Sequence, residues 1–378
     1  MRSTAIFFAT FLLTLGPVVV HAQATVTPDT RTIEKAQVTA ISKGQPEILP
    51  ENDIASPTQM LTADILNGPD MGQSVTFEND YIQLNVDDIF YALHTTNDLD
   101  GTDYRTVSDP YRLNALFALG AIFLFLVVVF GGLQGIRGLA SLFGSLVLIF
   151  FVLVPGILHG YSPILVSIGV SALIILVGSY ITHGFNRTTS AAVFGMITTV
   201  LITGALAYYF VHAAHLSGFA TEEEVYLNFD TQGTINMVSL LFGGIMIGLL
   251  GVLYDIAINQ AIAVEELFRA GAHMTRSHVY GRAIRIGREH IGALVNTLAI
   301  AYVGAALPLL LLIQEGSTYG IAYSINSELF STEIVRILIG SIGLILGVPV
   351  TTLIASYMLQ GRISSSSEAS HHGHSHGH

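Results

Sequence analysis

The stretch from Thr234 to Asp255 reads TINMVSLLFGGIMIGLLGVLYD and continues IAINQAIAVEEL to Leu267. An α-helix needs about 20 predominantly apolar residues to cross the hydrocarbon core of a bilayer. Behind this run come Arg269, Arg276, Arg282, Arg285 and Arg288, and a second apolar run opens at Ile291. Nowhere else does the chain combine such hydrophobicity with so many ionisable groups. The segment therefore decides the class of fold, and any functional site is expected to draw on it.

Composition agrees with that reading. The 378 residues are 51% apolar and only 11% charged, with mean hydropathy +0.62; soluble domains carry about 25% charged residues. An integral membrane protein is the class that fits, with the lipid bilayer as its first partner. The formal charge of −12 does not describe one acidic surface, because acids and bases are segregated along the chain. The absence of Cys excludes disulfides, thiolate catalysis and Cys-ligated metals. With no Trp, an interfacial aromatic belt has to rest on Tyr. No soluble basic domain is present to neutralise phosphates, so nucleic acid is not an expected partner.

Residues 1–24 have the form of a signal peptide: Arg2, the apolar stretch Ala5 to Val20, then Ala22-Gln23-Ala24. Cleaved, or kept as an anchor, it leaves residue 25 outside the cytoplasm. Residues 25–112 form a small polar region. Apolar and polar residues alternate over 36–41, 61–66, 74–77 and 81–86, and a turn cluster, Asn67-Gly68-Pro69-Asp70-Met71-Gly72, separates the second and third runs. Period-two runs between turn residues predict antiparallel strands, and about 90 residues suffice for one small β-rich domain with a thin core. Asn97 to Pro110 reads as a polar linker.

From Leu113 to residue 358 hydropathy predicts a seven-span helical bundle, with spans at about 113–133, 139–158, 163–182, 190–211, 234–256, 291–313 and 332–358. The cytoplasmic side follows from Arg placement. If residue 112 is outside, the inner pieces hold Arg137, Arg187, the five Arg of the 257–290 loop, and Arg362 in the cytoplasmic tail 359–378. The loops 159–162, 212–233 and 314–331 hold no Lys or Arg, and carry Glu222, Glu223, Glu224, Asp230, Glu315 and Glu328. The signal peptide gives the same orientation from different residues.

Charged and polar groups inside a bilayer are costly and usually face a partner or water. Asp255 and Asn259, one helical turn apart, Gln260, Asn296 and Arg336 are the candidates for an ion or substrate path. Asp255 is otherwise a head-group boundary residue, and Asn296, with Thr297, an interhelical hydrogen-bonding residue. Arg336 otherwise snorkels to the interface or neutralises Glu328 or Glu333. Glu265 and Glu266 read as a solvated helix end. Arg276, Arg282, Arg285 and Arg288, alternating with Ala283, Ile284 and Ile286, predict a short amphipathic helix on the inner surface; it would meet anionic lipid or dock a cytoplasmic partner. His371, His372, His374, His376 and His378 form a Gly/Ser-interleaved tract that would chelate a divalent metal, the one cofactor the sequence suggests. His212 and His215 share a face and are compatible with an external cation site. No GxSxG, Walker-type or HExxH motif occurs, so no enzymatic activity and no intrinsic ATPase are expected.

The run Gly251 to Ala261, followed by Ala263 to Leu267, resembles the signature of the YibE/F-like family of bacterial multipass membrane proteins. So do Arg282 to Gly292, Leu294 to Leu298, Gly304 to Leu312, Glu333 to Arg336, Gly340 to Leu344, and Val348-Pro349. The resemblance implies a signal or anchor, a small extracytoplasmic domain and a helical domain of the inner membrane, without implying a mechanism; the His-rich tail is not part of the pattern. Two readings of function remain open. One is a transporter or permease, coupled to an ion gradient or to a separate ATPase. The other is an envelope scaffold or sensor whose external domain binds a partner.

Overall fold

The computed structural model describes residues 30–43, 59–80, 82–96, 102–271, 274–315 and 320–360. The expected signal peptide and the His371–His378 tract lie outside the described residues. The chain divides into two compact units, residues 1–124 and 125–378.

The first unit is a five-stranded antiparallel sheet: β1 (Thr30–Lys43), β2 (Gln59–Ile65), β3 (Ser74–Asn79), β4 (Ile89–Thr96) and β5 (Asp103–Pro110). The strand order is β3-β2-β1-β4-β5, and the edge strands β3 and β5 approach each other. The sheet thus curls into a partly open barrel of the kind found in OB folds. β1 makes this possible. Its first half pairs with β4 and its second with β2, and an extra residue at Thr39 bends it between Val38 and Ala40. Ala36, Val38, Leu61, Ala63, Ile65, Phe77, Phe90 and Ala92 fill the interior, with Phe77 and Phe90 edge to face at 5.2 Å.

Two expectations fail here. The alternating run expected as a strand over 81–86 is not one across its described residues, 82–86. Its backbone is held by side chains instead: Gln59 brackets Leu84, accepting from its N–H at 3.0 Å and donating to its carbonyl at 3.1 Å, and Asn79 donates to the carbonyl of Ile82. The expected linker 97–110 contains β5, whose residues pair with β4 across Thr96↔Asp103 to Phe90↔Pro110.

The second unit is helical. It comprises most of α1 (Leu113–Leu148), a π-helical turn (Ile149–Leu153), and α2 (Val154–Leu158), α3 (Pro163–His183), α4 (Arg187–Ala213) and α5 (Glu222–Asp230). These are followed by α6 (Met237–Ala270), α7 (Arg276–Ala305), α8 (Leu307–Glu315), α9 (Ile321–Asn326) and α10 (Glu328–Leu359). Among the described residues, five helical stretches are long and apolar enough to cross a membrane: 113–158, α3, α4, α6 and α10. The count is lower than seven for two local reasons. The first two expected spans form one helical stretch of 46 residues, interrupted at Gly132 (φ 53°, ψ −139°). There the backbone of Gly135 lies so close to the Val127 carbonyl that a Cβ would collide, although residues eight apart in a straight helix are about 12 Å apart. The apolar run 291–313 is divided at Ala306 between α7 and α8, where Pro308 has no N–H to continue the ladder.

α4, α6 and α10 form the core of this unit, with α3 and α7 against them. Small residues permit the approach. A Cβ on Gly195 would stand 2.9 Å from Thr351 Cα, and one on Gly343 would stand 2.6 Å from a methyl of Leu249. α1 by contrast has no buried residue and exposes Phe117, Phe125 and Phe130, the composition of a surface in contact with lipid tails rather than water.

Candidate functional site

Three cavities follow one another along α6, the first two where α3 meets it and the third where the start of α4 meets it. The first, about 360 Å³, is lined by Ser167 of α3, Gly243, Gly244 and Ile247 of α6, with Glu224 and Arg336 beside them. The second, about 340 Å³, shares Ile247 and continues along Ile174 and Thr182 of α3 and Gly251 and Tyr254 of α6, closed by Ser141 and Ser145 of α1. The third, about 480 Å³, lies at the end of α3 and is lined by His183, Asn186, Arg187, Thr188, Ile258, Ile262, Glu265 and Arg269. From Leu240 to Arg269 the row follows about 44 Å of α6, more than the hydrocarbon thickness of about 30 Å.

α3 carries a row of buried hydroxyls, of which Ser167 lines the first cavity and Thr182 the second. Ser167, Ser171, Ser179 and Thr182 recur at helical spacing and are buried. Ser167 and Ser171 have no hydrogen-bond partner among the described residues, which is uncommon for buried polar atoms. Tyr254 crosses from α6, donating its hydroxyl to the Gly178 carbonyl at 3.0 Å. Gln134 of α1 donates to the Thr182 carbonyl at 3.3 Å.

The third cavity has the richest chemistry. Asn186 caps α4, accepting from the Thr189 N–H at 2.7 Å, a favoured N-cap arrangement. Thr188 donates to Glu265 at 2.5 Å, and Arg269 donates to the other oxygen of the same carboxylate at 2.5 Å. Glu265 is therefore not a freely solvated helix end: it ties α6 to the start of α4, while Glu266 is exposed. With Arg187 and Arg269 against one carboxylate, the cavity is net positive and opens on the positive end of the α4 dipole.

The residues singled out in the sequence are spread over the unit. Asp255 and Asn259 are exposed and bond each other at 3.0 Å. Gln260 is buried on the other side of α6 and donates to the Ala283 carbonyl of α7 at 2.8 Å. Asn296 is exposed on α7. Arg336 pairs with Glu333 at 2.7 Å and is the one residue of that set to line the row of cavities. Arg282, Arg285 and Arg288 form an exposed basic face of α7, whose opposite face buries Val279, Ala283 and Gly287; Arg276, exposed at the start of the helix, shares the side of those buried residues and lies over the Tyr357 ring at 4.7 Å, and the helix runs on to Ala305 rather than ending at the surface. His212 and His215 line a separate recess of about 440 Å³ with Tyr208 and Asn236. Thr188, Tyr254 and the α3 hydroxyls were not singled out. The signal for them was four hydroxyl residues on one face of an apolar helix.

The chain belongs to the YibE/F-like family: the family profile, described as YibE/F-like protein, matches residues 119–361. It is a membrane protein, as its apolar helices indicate. No curated protein and no solved structure matches it significantly.

Proposed function

We propose that this protein is a transporter or permease of the bacterial cytoplasmic membrane, and that its solute path is the α3–α6 face. The supporting observation is the succession of three cavities along α6 over a length greater than the bilayer core, the first two sharing Ile247 and lined in part by the buried hydroxyls of Ser167 and Thr182. In this reading the 46-residue helical stretch crosses twice, turning at Gly132, and α7 with α8 crosses once, which restores seven spans. The distribution of Arg then puts the barrel and the Arg336 cavity outside, and the Thr188–Glu265–Arg269 cavity and the C-terminus inside. Energy comes either from an ion gradient, in which case Asp255→Asn must change flux, or from a separate ATPase docked on the basic face of α7.

The absence of native Cys makes the path directly testable. Single Cys residues at Ser167, Ser171, Ser179 and Thr182 should react with a small water-soluble maleimide in intact membranes, with exposed Ser217 as the positive control. Labelling of Ser217→Cys alone would mean that the seam is dry. The path would then be abandoned in favour of an envelope scaffold or sensor whose barrel binds an external partner.

A further inference from the structure

The barrel interior holds a charged cluster that the transport reading does not use. Glu34 shares strand parity with Ala36 and Val38 and so points inward, where it is 1% exposed. Neither of its carboxylate oxygens has a hydrogen-bond partner among the described residues. The strand register brings His94 onto the same face, diagonal to Glu34 and directly opposite Arg105. The β2–β3 turn adds Asp70, and Gly68 in that turn lets the backbone come close to the Glu34 carboxylate (a Cβ would stand 3.4 Å from Oε1). Arg105 bonds Asp70 and stands 3.5 Å from Glu34 Oε2; His94 stands 3.6 Å from Glu34 Oε1 and 3.4 Å from Asp103.

We propose that Glu34, Asp70 and His94 form a binding site for a divalent first-row cation such as Zn²⁺, with Arg105 as the internal cation it competes against. Three observations carry this. One ligand atom from each of the three residues lies within 4.8 Å of the others. Ligands around tetrahedral Zn²⁺ at ~2.0–2.1 Å are about 3.3 Å apart, and the His94–Glu34 separation of 3.6 Å is already close to that. The charges also fit: the carboxylates of Glu34, Asp70 and Asp103 against Arg105 leave two negative formal charges, which a dication balances. One imidazole and two carboxylates suit Zn²⁺ and its neighbours better than Ca²⁺ or Mg²⁺. His94, at 15% side-chain exposure, and Asp70, at 25%, give the ion an entry from solvent.

The test uses the full chain in detergent with the five His of the 371–378 tract replaced by Ala, so that the tail does not contribute. Titration with Zn²⁺ alone should show one bound equivalent, and Co²⁺ should give the visible bands of a low-coordinate N/O site. Glu34→Gln and His94→Gln should each weaken binding at least tenfold with an unchanged circular dichroism spectrum. Arg105→Gln should tighten it, since the competing cation is gone. No bound equivalent in the parent, or one that survives both Glu34→Gln and His94→Gln, would overturn the proposal. Should Glu34→Gln fail to fold, His94→Gln and Arg105→Gln decide, since a plain ion-pair cluster predicts no gain in affinity for Arg105→Gln.

Discussion

Glu34 in the barrel and Ser167 in the helical unit are both fully buried and both lack a hydrogen-bond partner among the described residues, yet they sit in different kinds of surroundings. Around Glu34 the barrel collects charges of both signs from three strands and a turn, and Arg105 offsets part of the negative charge through space. The buried polar groups of the helical core are mostly neutral hydroxyls, and some of them turn back on their own helix: Thr199 donates to the Gly195 carbonyl at 2.8 Å and Thr352 to the Val348 carbonyl at 2.6 Å. A buried charge is expensive unless paired, whereas an unpaired hydroxyl costs far less. Strands fixed by cross-strand ladders can hold an exact constellation of charges. Helices in a bilayer use small hydroxyls that also let them pack closely. The lesson is that the charges of the barrel interior are energetically coupled, while the helical seam is modular.

That contrast can be broken in four places. The largest effect is expected in the barrel: Arg105→Ala leaves Glu34 and Asp70 uncompensated and should cost about 3 to 4 kcal/mol, read from thermal unfolding of the β signal. Arg112→Ala, which removes an exposed pair with Asp109, should change little. If both changes have equal effects, the barrel cluster is not coupled. Next comes close packing. Gly195→Val would push α4 off Thr351 and should lose about 2 to 3 kcal/mol, whereas Gly244→Ala, with nothing within 4 Å, should be neutral when the thermostability of the purified protein is compared. A smaller loss, about 1 to 2 kcal/mol, is expected for Glu328→Gln. That carboxylate accepts from the N–H groups of Ser217 (2.7 Å), Gly218 (2.8 Å) and Phe219 (3.3 Å), and the neutral amide gives up the charge that strengthens these bonds. Proteolysis of the 214–220 segment would report it.

The smallest effect concerns pH. The hydrogen bond from Thr96, with smaller help from His94 and Arg105, holds the Asp103 carboxyl below its ordinary 3.8 against a modest desolvation. Since the folded value lies below the unfolded one, this stabilisation is present above the ordinary carboxylate range and is lost as pH falls through the lowered value. Thr96→Val should return Asp103 towards 3.8 in a pH titration followed by NMR, and should shift the acid side of the unfolding profile upward. An unchanged titration would remove Asp103 from the cluster.

The apolar runs carried the architecture plainly, because a long unbroken hydrophobic segment has few alternatives to a membrane helix. The places where hydropathy ran out are backbone events. Gly132 and the Ala306–Pro308 junction interrupt the helical backbone without changing composition. The strand expected at 81–86 alternates correctly, but Gln59 and Asn79 take up its backbone groups, and no periodicity count sees a distant Gln. In the barrel, Glu34 was legible in principle, since its parity with Ala36 and Val38 places it inward. In α6, Asp255 and Asn259 lie opposite the buried face of Leu253, Ile256, Ala257, Gln260, Ala261 and Val264. The helical period that puts Asp255 and Asn259 together also sets both apart from Gln260.

Glu328 has one more consequence. Ser217 and Glu328 are 111 positions apart, and the bond between them closes the whole excursion from α5 to α9 into a ring. The entropy of closing a ring rises slowly, by about 0.6 kcal/mol for each doubling of its length. Residues added within that excursion are therefore expected to leave its two ends clasped at almost the same cost, without loosening the junction between α4 and α10.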